Sequence, residues 1–508
     1  MHSKLICCLL LLLAIPFAVQ AQEAKPVLDL KVEADYLALH LSGKAPAGTT
    51  AVQYRVSELG EIDGAAAWTT LKSPLGADGS FVIEAALSAS RWSEVQVRAM
   101  KGDQVLVTKS ARHKPDVFTL LTNERIAALP EADRAAWQTY MKRSMERSKK
   151  EFDILSAECR RLGLAHSIPA ADNSAELELD SDTPESYFAS AEALKLAEAV
   201  MSFQTPTGGW SKAVDYTMGP RQPGMHWTSQ KGDSWHYCGT IDNRTTTEQI
   251  KLLAGVYSAT KNDAAKAAAI RGLDYLLEAQ FPNGGWPQNY PVESGYHEAI
   301  TLNDNAMIHV MEVLLMVAEK KAMFAFADDD LSARARTSFE KGLACLAAAQ
   351  VKVNGKLTVW CAQHDPLTLG PVHARAKEPP SLSGAESAEV IRFLMRKAPI
   401  TPQTTAMIEP AMAWFEAFRI TGLRKIKNAA GKTDYVPDAA SEEVYWARFY
   451  DVQTGKPMFA GAQDGIVYAT FGEMAAKNKV AYDFFTTKPA DLLTKEVGRW
   501  RKRMAKEK

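Results

Sequence analysis

Two carboxylates stand where chemistry is cheap to build. Asp242 lies in HYCGTIDNRTTTEQI (236–250) and Asp304 in ITLNDNAMIHVM (300–311), each next to an amide and just ahead of an apolar-periodic run. At a helix start such a carboxylate accepts from orphan backbone N–H groups. With its amide neighbour it also offers hard oxygen ligands to a divalent cation. The two roles are compatible, and both stay open on these residues alone. A third segment, TVWCAQHDPLTLGPVHARAKEPPSLSGAESAEV (358–390), gathers His364, Asp365, His373, Arg375, Lys377 and Glu378 before another helix start. Ser383 and Glu386 there make a capping box. That box leaves the basic cluster beside Pro379 and Pro380 unexplained, although ordinary surface charge accounts for Lys377 equally well. Trp210 and Trp286 follow Gly-Gly pairs, and serve either as core wedges or as platforms for sugar faces.

Several chemistries are excluded. His and Cys do not fall at zinc-ligand spacings, and no phosphate-cradling glycine loop follows a strand. With 23% charged residues and a formal net charge of -1 over 508 residues, nothing points to nucleic acid or an anionic membrane surface.

The elements that position these residues repeat. AVMSFQTPTGGWSKAVDY (199–216), LLEAQFPNGGWPQNYP (276–291) and, more loosely, LAAAQVKVNGKLTVWCAQHD (346–365) each carry a Gln closing a helix, a Gly-bearing turn and a Trp. Gln204, Gln280 and Gln350 are spaced 76 and 70 residues apart. The starts TIDNRTTTEQI at 240, TLNDNAMIHVM at 301 and SLSGAESAEVI at 381 superimpose without gaps, placing Asp304 opposite Asn243. Such repeats predict a closed ring of helical hairpins, with equivalent loops converging on one mouth.

Ahead of the ring, residues 25–112 alternate with period 2 in short runs such as AVQYRVSEL and SEVQVRAM. That pattern predicts a small β-sandwich of fibronectin-III or immunoglobulin type. It is an accessory module, either packing against its neighbour, the reading preferred here, or binding carbohydrate. Residues 1–21 read as a secretory signal rather than a transmembrane anchor. The expected location is therefore periplasmic or extracellular, and the expected state a monomer. Cys159, Cys238, Cys345 and Cys361 remain, too few for a disulfide scaffold but enough for one bridge.

TIDNRTTTEQI, NGGWPQNYP, ITLNDNAM, LTVWCAQHD, HARAKEPPSLSGAES and WARFYD (446–451) occur in the order of the signature segments of the family 10 pectate lyases, which this chain resembles from about Phe203 to about Tyr482. The resemblance implies an all-α (α/α)3 toroid over residues 113–508. It also implies Ca2+-assisted β-elimination on polygalacturonate, the backbone of pectin. Asp242 and Asp304 would hold calcium and substrate, Arg375 would be the base, and Arg448 would hold a substrate carboxylate. An arginine base is awkward because its pKa exceeds about 12, and on chemistry alone Lys377 comes first. Where the family reads Arg-Asp-Gly, this chain has Gln463 before Asp464 and Gly465, and Arg244 replaces a usual glycine. A substrate-binding charge is lost at Gln463, and Arg244 supplies part of it. Two other functions compete: a glycoside hydrolase using Asp365 and Glu378 as acid and base, and a pectin-binding protein without catalysis.

Overall fold

A computed structural model describes residues 26–507, apart from 35–37, 59–66, 87–92, 114–119, 165–166, 174–176, 180–182, 230–238, 293–294, 376, 428–430, 432, 463–465 and 481–482. Gln463 and Cys238 therefore lie outside the described residues, as does the 1–21 segment.

The alternating N-terminal region forms two antiparallel sheets. β1 (Asp29–Ala34), β2 (Ala38–Lys44) and β5 (Ser80–Ala86) make one, in the order β1-β2-β5. β3 (Ala51–Glu58), β4 (Thr69–Thr70), β6 (Ser93–Lys101) and β7 (Gln104–His113) make the other, in the order β4-β3-β6-β7. Inward positions of both sheets, among them Leu41, Val52, Phe81, Ile83, Val95 and Val97, fill one apolar core. The alternation is what leaves Gln53, Arg55, Gln96 and Arg98 on the outward side.

Beyond it the chain is helix-rich. α1 (Asn123–Ala127) is followed by the long α2 (Glu131–Leu162), which ends at left-handed Gly163, and then α3 (Ala191–Ser202). Three hairpins come next: α4 (Thr247–Thr260) with α5 (Asp263–Ala279), α6 (Ala306–Ala318) with α7 (Asp329–Ala349), and α8 (Glu386–Arg396) with α9 (Pro402–Ala417). The first helix of each pair is buried on nearly every side, the mark of an inner helix. The second helices pack on one another, α5 on α7 and α7 on α9.

The repeated Gln and Trp stitch these pairs together. Gln204 Nε2 donates to the carbonyls of Gly208 and Ala268, Gln280 Nε2 to those of Gly284 and Ser338, and Gln350 Nε2 to those of Thr358 and Met407. Each glutamine thus closes its own turn and ties it to α5, α7 or α9. Trp210, Trp286 and Trp360 donate Nε1–H to Val200, Leu276 and Leu346 of the preceding helix. All three indoles are 0% exposed, so the expectation that Trp210 and Trp286 stack on sugar is corrected: both are core wedges. The turns force this. Gly208 and Gly284 sit at φ +107 and +93, where a Cβ would come within 2.6 Å of the Arg271 carbonyl and 2.2 Å of the Lys341 carbonyl. Only glycine allows that approach, and the approach drives the following ring inward.

After α9 the chain adds a hairpin, Leu423–Lys427 with Thr433–Pro437. Short pairings follow, of Leu382–Ser383 with Phe449–Tyr450 and of Trp446–Ala447 with Phe485–Thr486. An aromatic cluster of Tyr445, Phe449, Phe459, Phe471 and Phe484 backs them. This layer carries Arg448 to the start of α8. Cys159, Cys345 and Cys361 are buried, and Cys345 and Cys361 are free thiols.

Candidate active site

The three inner-helix starts meet as the repeat predicts. Residues Asp242–Arg244 and Asn303–Asn305 each form a 3-10 turn, and the two turns pack together. Asn243 and Asp304, equivalent in the repeat, both adopt left-handed backbone at φ 46 and φ 50, as do Arg244 and Asn305. Non-glycine residues rarely do so, and Asn and Asp tolerate it best. The capping role proposed for the two aspartates does not occur. The N-cap positions of α4 and α6 are Thr246 and Asn305, with no side-chain cap bond at either. The left-handed turn re-aims both carboxylates away from the helix amides.

Asp242 is buried and its Oδ2 accepts from Lys212 Nζ at 2.5 Å. Asp304 Oδ2 accepts from Asn303 Nδ2 at 2.6 Å. Asp304 is open to the cleft; partial desolvation there first, then the negative charges of Asp242 and Glu386, raise its carboxyl above its ordinary value, against the pull of Arg448 and Lys212. The third start contributes Glu386, buried on α8. One of its oxygens pairs with Ser383 Oγ and the other accepts from Arg448 Nη2 at 2.7 Å. Arg448 Nη2 also donates to Asn303 Oδ1 at 3.1 Å. One guanidinium therefore bridges the second and third helix starts.

Asp304, Glu386 and Arg448 line a cleft of about 740 Å³, whose wall also includes Arg244, His309 and Lys425. That volume suits a few sugar residues rather than a single ion. Arg244 lines it while paired to Glu178 at 2.5 Å, a half-exposed ion pair of the sort a ligand carboxylate displaces at little cost. Arg375 and Lys377 are not part of this lining. Arg375 forks onto buried Glu378, Nε to Oε2 at 2.9 Å and Nη2 to Oε1 at 2.7 Å. Lys377 is half-buried and its ammonium is pushed down by burial, then by the positive charge of Arg375 and, further off, Arg448.

Asp365 and Glu378 are both committed elsewhere. Asp365 pairs with Arg125 at 2.6 Å and accepts from the Leu367 and Thr368 amides, while Glu378 holds Arg375. Like Arg375 and Lys377, neither is among the residues that line this cleft, and each already holds an arginine. The sequence reading missed Glu386 as more than a cap and gave Asn303 no role of its own. It overlooked Lys212 altogether. A signal existed for Asn303, which is the repeat equivalent of Asp242; none existed for Lys212.

Hard oxygen donors for a cation are present in Asp242 and Asp304, with Asn303 alongside. Among the described residues no group of three or more His, Cys, Asp and Glu gathers as a metal cluster. Two buried histidines set a separate pH limit. Burial, aided by Arg244, Lys251 and Lys397, holds His309 down to about 3. Burial also holds His364 down to about 4, against the bonds it makes to Leu369 and Cys361. Both are neutral in the fold, and the unfolded chain takes up their protons first as pH drops below 6.5. Stability is therefore lost as pH falls from about 6.5 toward 4, by about 3 kcal/mol for each histidine. Asp304 opposes this weakly, because its raised value favours the fold on acidification. Urea unfolding at pH 7 and pH 4.5 measures the net loss, and His364→Gln should flatten it.

The profile of the family described as pectic acid lyase matches residues 204–493, which hold the three hairpins, the helix starts and Arg448. Two solved structures of a family 10 polysaccharide lyase from Cellvibrio cellulosa are 32% identical to the chain, both with a TM-score of 0.52. One covers 63% of this chain and 97% of its own. The other, a mutant in complex with trigalacturonic acid, covers 61% and 95%. No curated protein matches the chain.

Proposed function

The chain belongs to the pectic acid lyase family and is a pectate lyase, and from that premise we propose that it cleaves α-1,4-linked polygalacturonate by calcium-dependent β-elimination in the cleft of Asp304, Glu386 and Arg448. The observation that carries this reading is the Asp304 carboxylate standing open on the cleft wall beside Glu386 and Arg448, with the charges of Asp242 and Glu386 close enough to raise it. Two neighbouring carboxylates that repel one another, Asp242 and Asp304, suit a hard divalent cation, and oxygen ligands suit calcium. When bound, calcium supplies positive charge that neutralises the substrate's uronate and acidifies its C5 proton.

The remaining steps fall to the protein. Asp242 and Asp304 would hold the cation, Asp242 in place of its present pairing with Lys212. Arg448, braced by Glu386 and Asn303, holds a substrate carboxylate through its fork, and Arg244 exchanges Glu178 for a neighbouring one. Arg375 removes the C5 proton, with Lys377 beside it making loss of the arginine's own proton easier. The C5 electron pair becomes the C4–C5 double bond as the C4–O bond breaks, and the departing oxygen takes up a proton. Gln463 in place of the family's arginine weakens one subsite.

We further read residues 25–112 as a β-sandwich and 113–508 as an (α/α)3 toroid, the three hairpins being its repeats. The mature protein works outside the cytoplasm as a monomer, with 1–21 as its signal. No helix among the described residues is long and apolar enough to cross a membrane.

Product absorbance tests the reaction. Elimination leaves a conjugated double bond that absorbs in the ultraviolet, and polygalacturonate should yield it with calcium and lose it with chelator. Retention of polygalacturonate with no absorbing product, at neutral and alkaline pH with calcium, would favour the non-catalytic pectin-binding reading instead.

A further inference from the structure

The outward face of β4-β3-β6-β7 carries a cluster that the cleft does not use. Arg55 and Gln96 lie directly opposite each other across β3 and β6, as do Gln53 and Arg98. Each arginine donates Nε–H to the glutamine facing it, Arg55 to Gln96 Oε1 at 2.7 Å and Arg98 to Gln53 Oε1 at 2.8 Å. Gln53 in turn donates to Thr70 Oγ1 at 3.0 Å. Trp68 precedes β4, and continuing the Tyr54–Thr69 register sets it across from Arg55. Its ring meets the Arg55 guanidinium at 4.8 Å and that of Arg98 at 4.0 Å.

Three features point to a ligand. The arginines are oriented by neutral amides rather than by acids, so their charge is fixed in place without being cancelled. Neither forms an ion pair among the described residues. An arginine held through Nε keeps its Nη edge for a planar anion, and that fork matches a carboxylate. Diagonal cross-strand positions stand about 7–8 Å apart, so the two forks can meet neighbouring acidic groups of one extended chain. The half-buried indole lies under both guanidiniums and holds them in place by cation–π contact.

We propose that Trp68, Arg55 and Arg98, braced by Gln53 and Gln96, form a second polysaccharide site that binds the uronate chain of pectate and tethers the enzyme to its polymer. The identity of the ligand rests on the proposed substrate. Charge complementarity selects it, because a polyuronate offers a carboxylate at every residue.

Affinity electrophoresis of the full chain through gels containing polygalacturonate, with chelator to silence the cleft, reads this site directly. The Arg55→Gln/Arg98→Gln double variant and Trp68→Ala should each bind about tenfold more weakly than the wild type, and Trp68→Phe should retain most of the binding. With calcium, turnover of trigalacturonic acid should be unchanged in all of them, since a short substrate gains nothing from a tether. The double variant keeps an amide at each arginine position, and a thermal melt matching the wild type shows that the sheet is intact. Equal retardation of wild type and folded variants overturns the proposal, and so does equal retardation of the wild type by dextran sulfate, which would mean general anion exchange. Absence of eliminated product from every form, with the variants still losing retardation, would sink the lyase reading and leave this site standing.

Discussion

Asp304→Asn should lower the elimination rate by about 10²–10³-fold while leaving the calcium-free protein as stable as the wild type, or slightly more so. The two outcomes share one cause. In the folded protein the Asp304 carboxyl is raised above its ordinary value by partial desolvation at the cleft wall and by the charges of Asp242 and Glu386, so holding it ionised at neutral pH works against folding. Asparagine removes the charge and keeps a side-chain oxygen for the Asn303 Nδ2 bond. It also accepts the left-handed backbone at this position better than most residues. Calcium should raise the melting temperature of the wild type and leave the variant's almost unmoved, because a ligand stabilises only the state that binds it. A variant that melts lower in chelator, and whose activity loss tracks its unfolded fraction, would mean that Asp304 is structural.

How much of this site was legible depends on how far apart the interacting residues lie in sequence. The Gln204, Gln280 and Gln350 repeat was readable because each glutamine does the same local job, closing a turn four to eight residues on. Asp242, Asp304 and Arg448 were readable as residue types within their segments. Trp210 and Trp286 were ambiguous because a core wedge and a sugar platform have the same composition. The deciding fact is the approach of Gly208 and Gly284 to the carbonyls of the following outer helices, and that is a tertiary contact. Glu386 satisfied a local capping pattern through Ser383, which hid its second partner, Arg448, 62 residues away. The pairing of Asp242 with Lys212 spans 30 residues and follows no motif. On the N-terminal sheet the alternation marked Gln53, Arg55, Gln96 and Arg98 as outward. Only the strand register, which the sequence leaves open, sets them face to face.

Arg375→Ala should lower kcat by about 10²–10⁴-fold, the usual span of general base catalysis, with KM little changed. Lys377→Met should instead move the pH–rate profile to higher pH while keeping most of the maximal rate. The structure makes the division of labour a real question. An arginine acts as a base only after losing its proton, and Glu378 grips the Nε–H and Nη2–H edge of Arg375 at 2.9 and 2.7 Å, which favours the cation. Proton abstraction therefore requires this fork to open, and a substrate carboxylate arriving with calcium is the charge that can disturb it. Lys377 is the counterweight. Burial and the neighbouring cations push its ammonium down, and the repulsion is mutual, so its positive charge also helps Arg375 to release a proton. Without that charge the base form of Arg375 becomes common only at more alkaline pH, and the ascending limb of the profile shifts with it. Profiles of kcat for Arg375→Ala, Arg375→Lys and Lys377→Met on polygalacturonate, each with saturating calcium, separate the roles. Loss of activity at every pH in Lys377→Met, together with a largely active Arg375→Ala, would exchange them and make Lys377 the base.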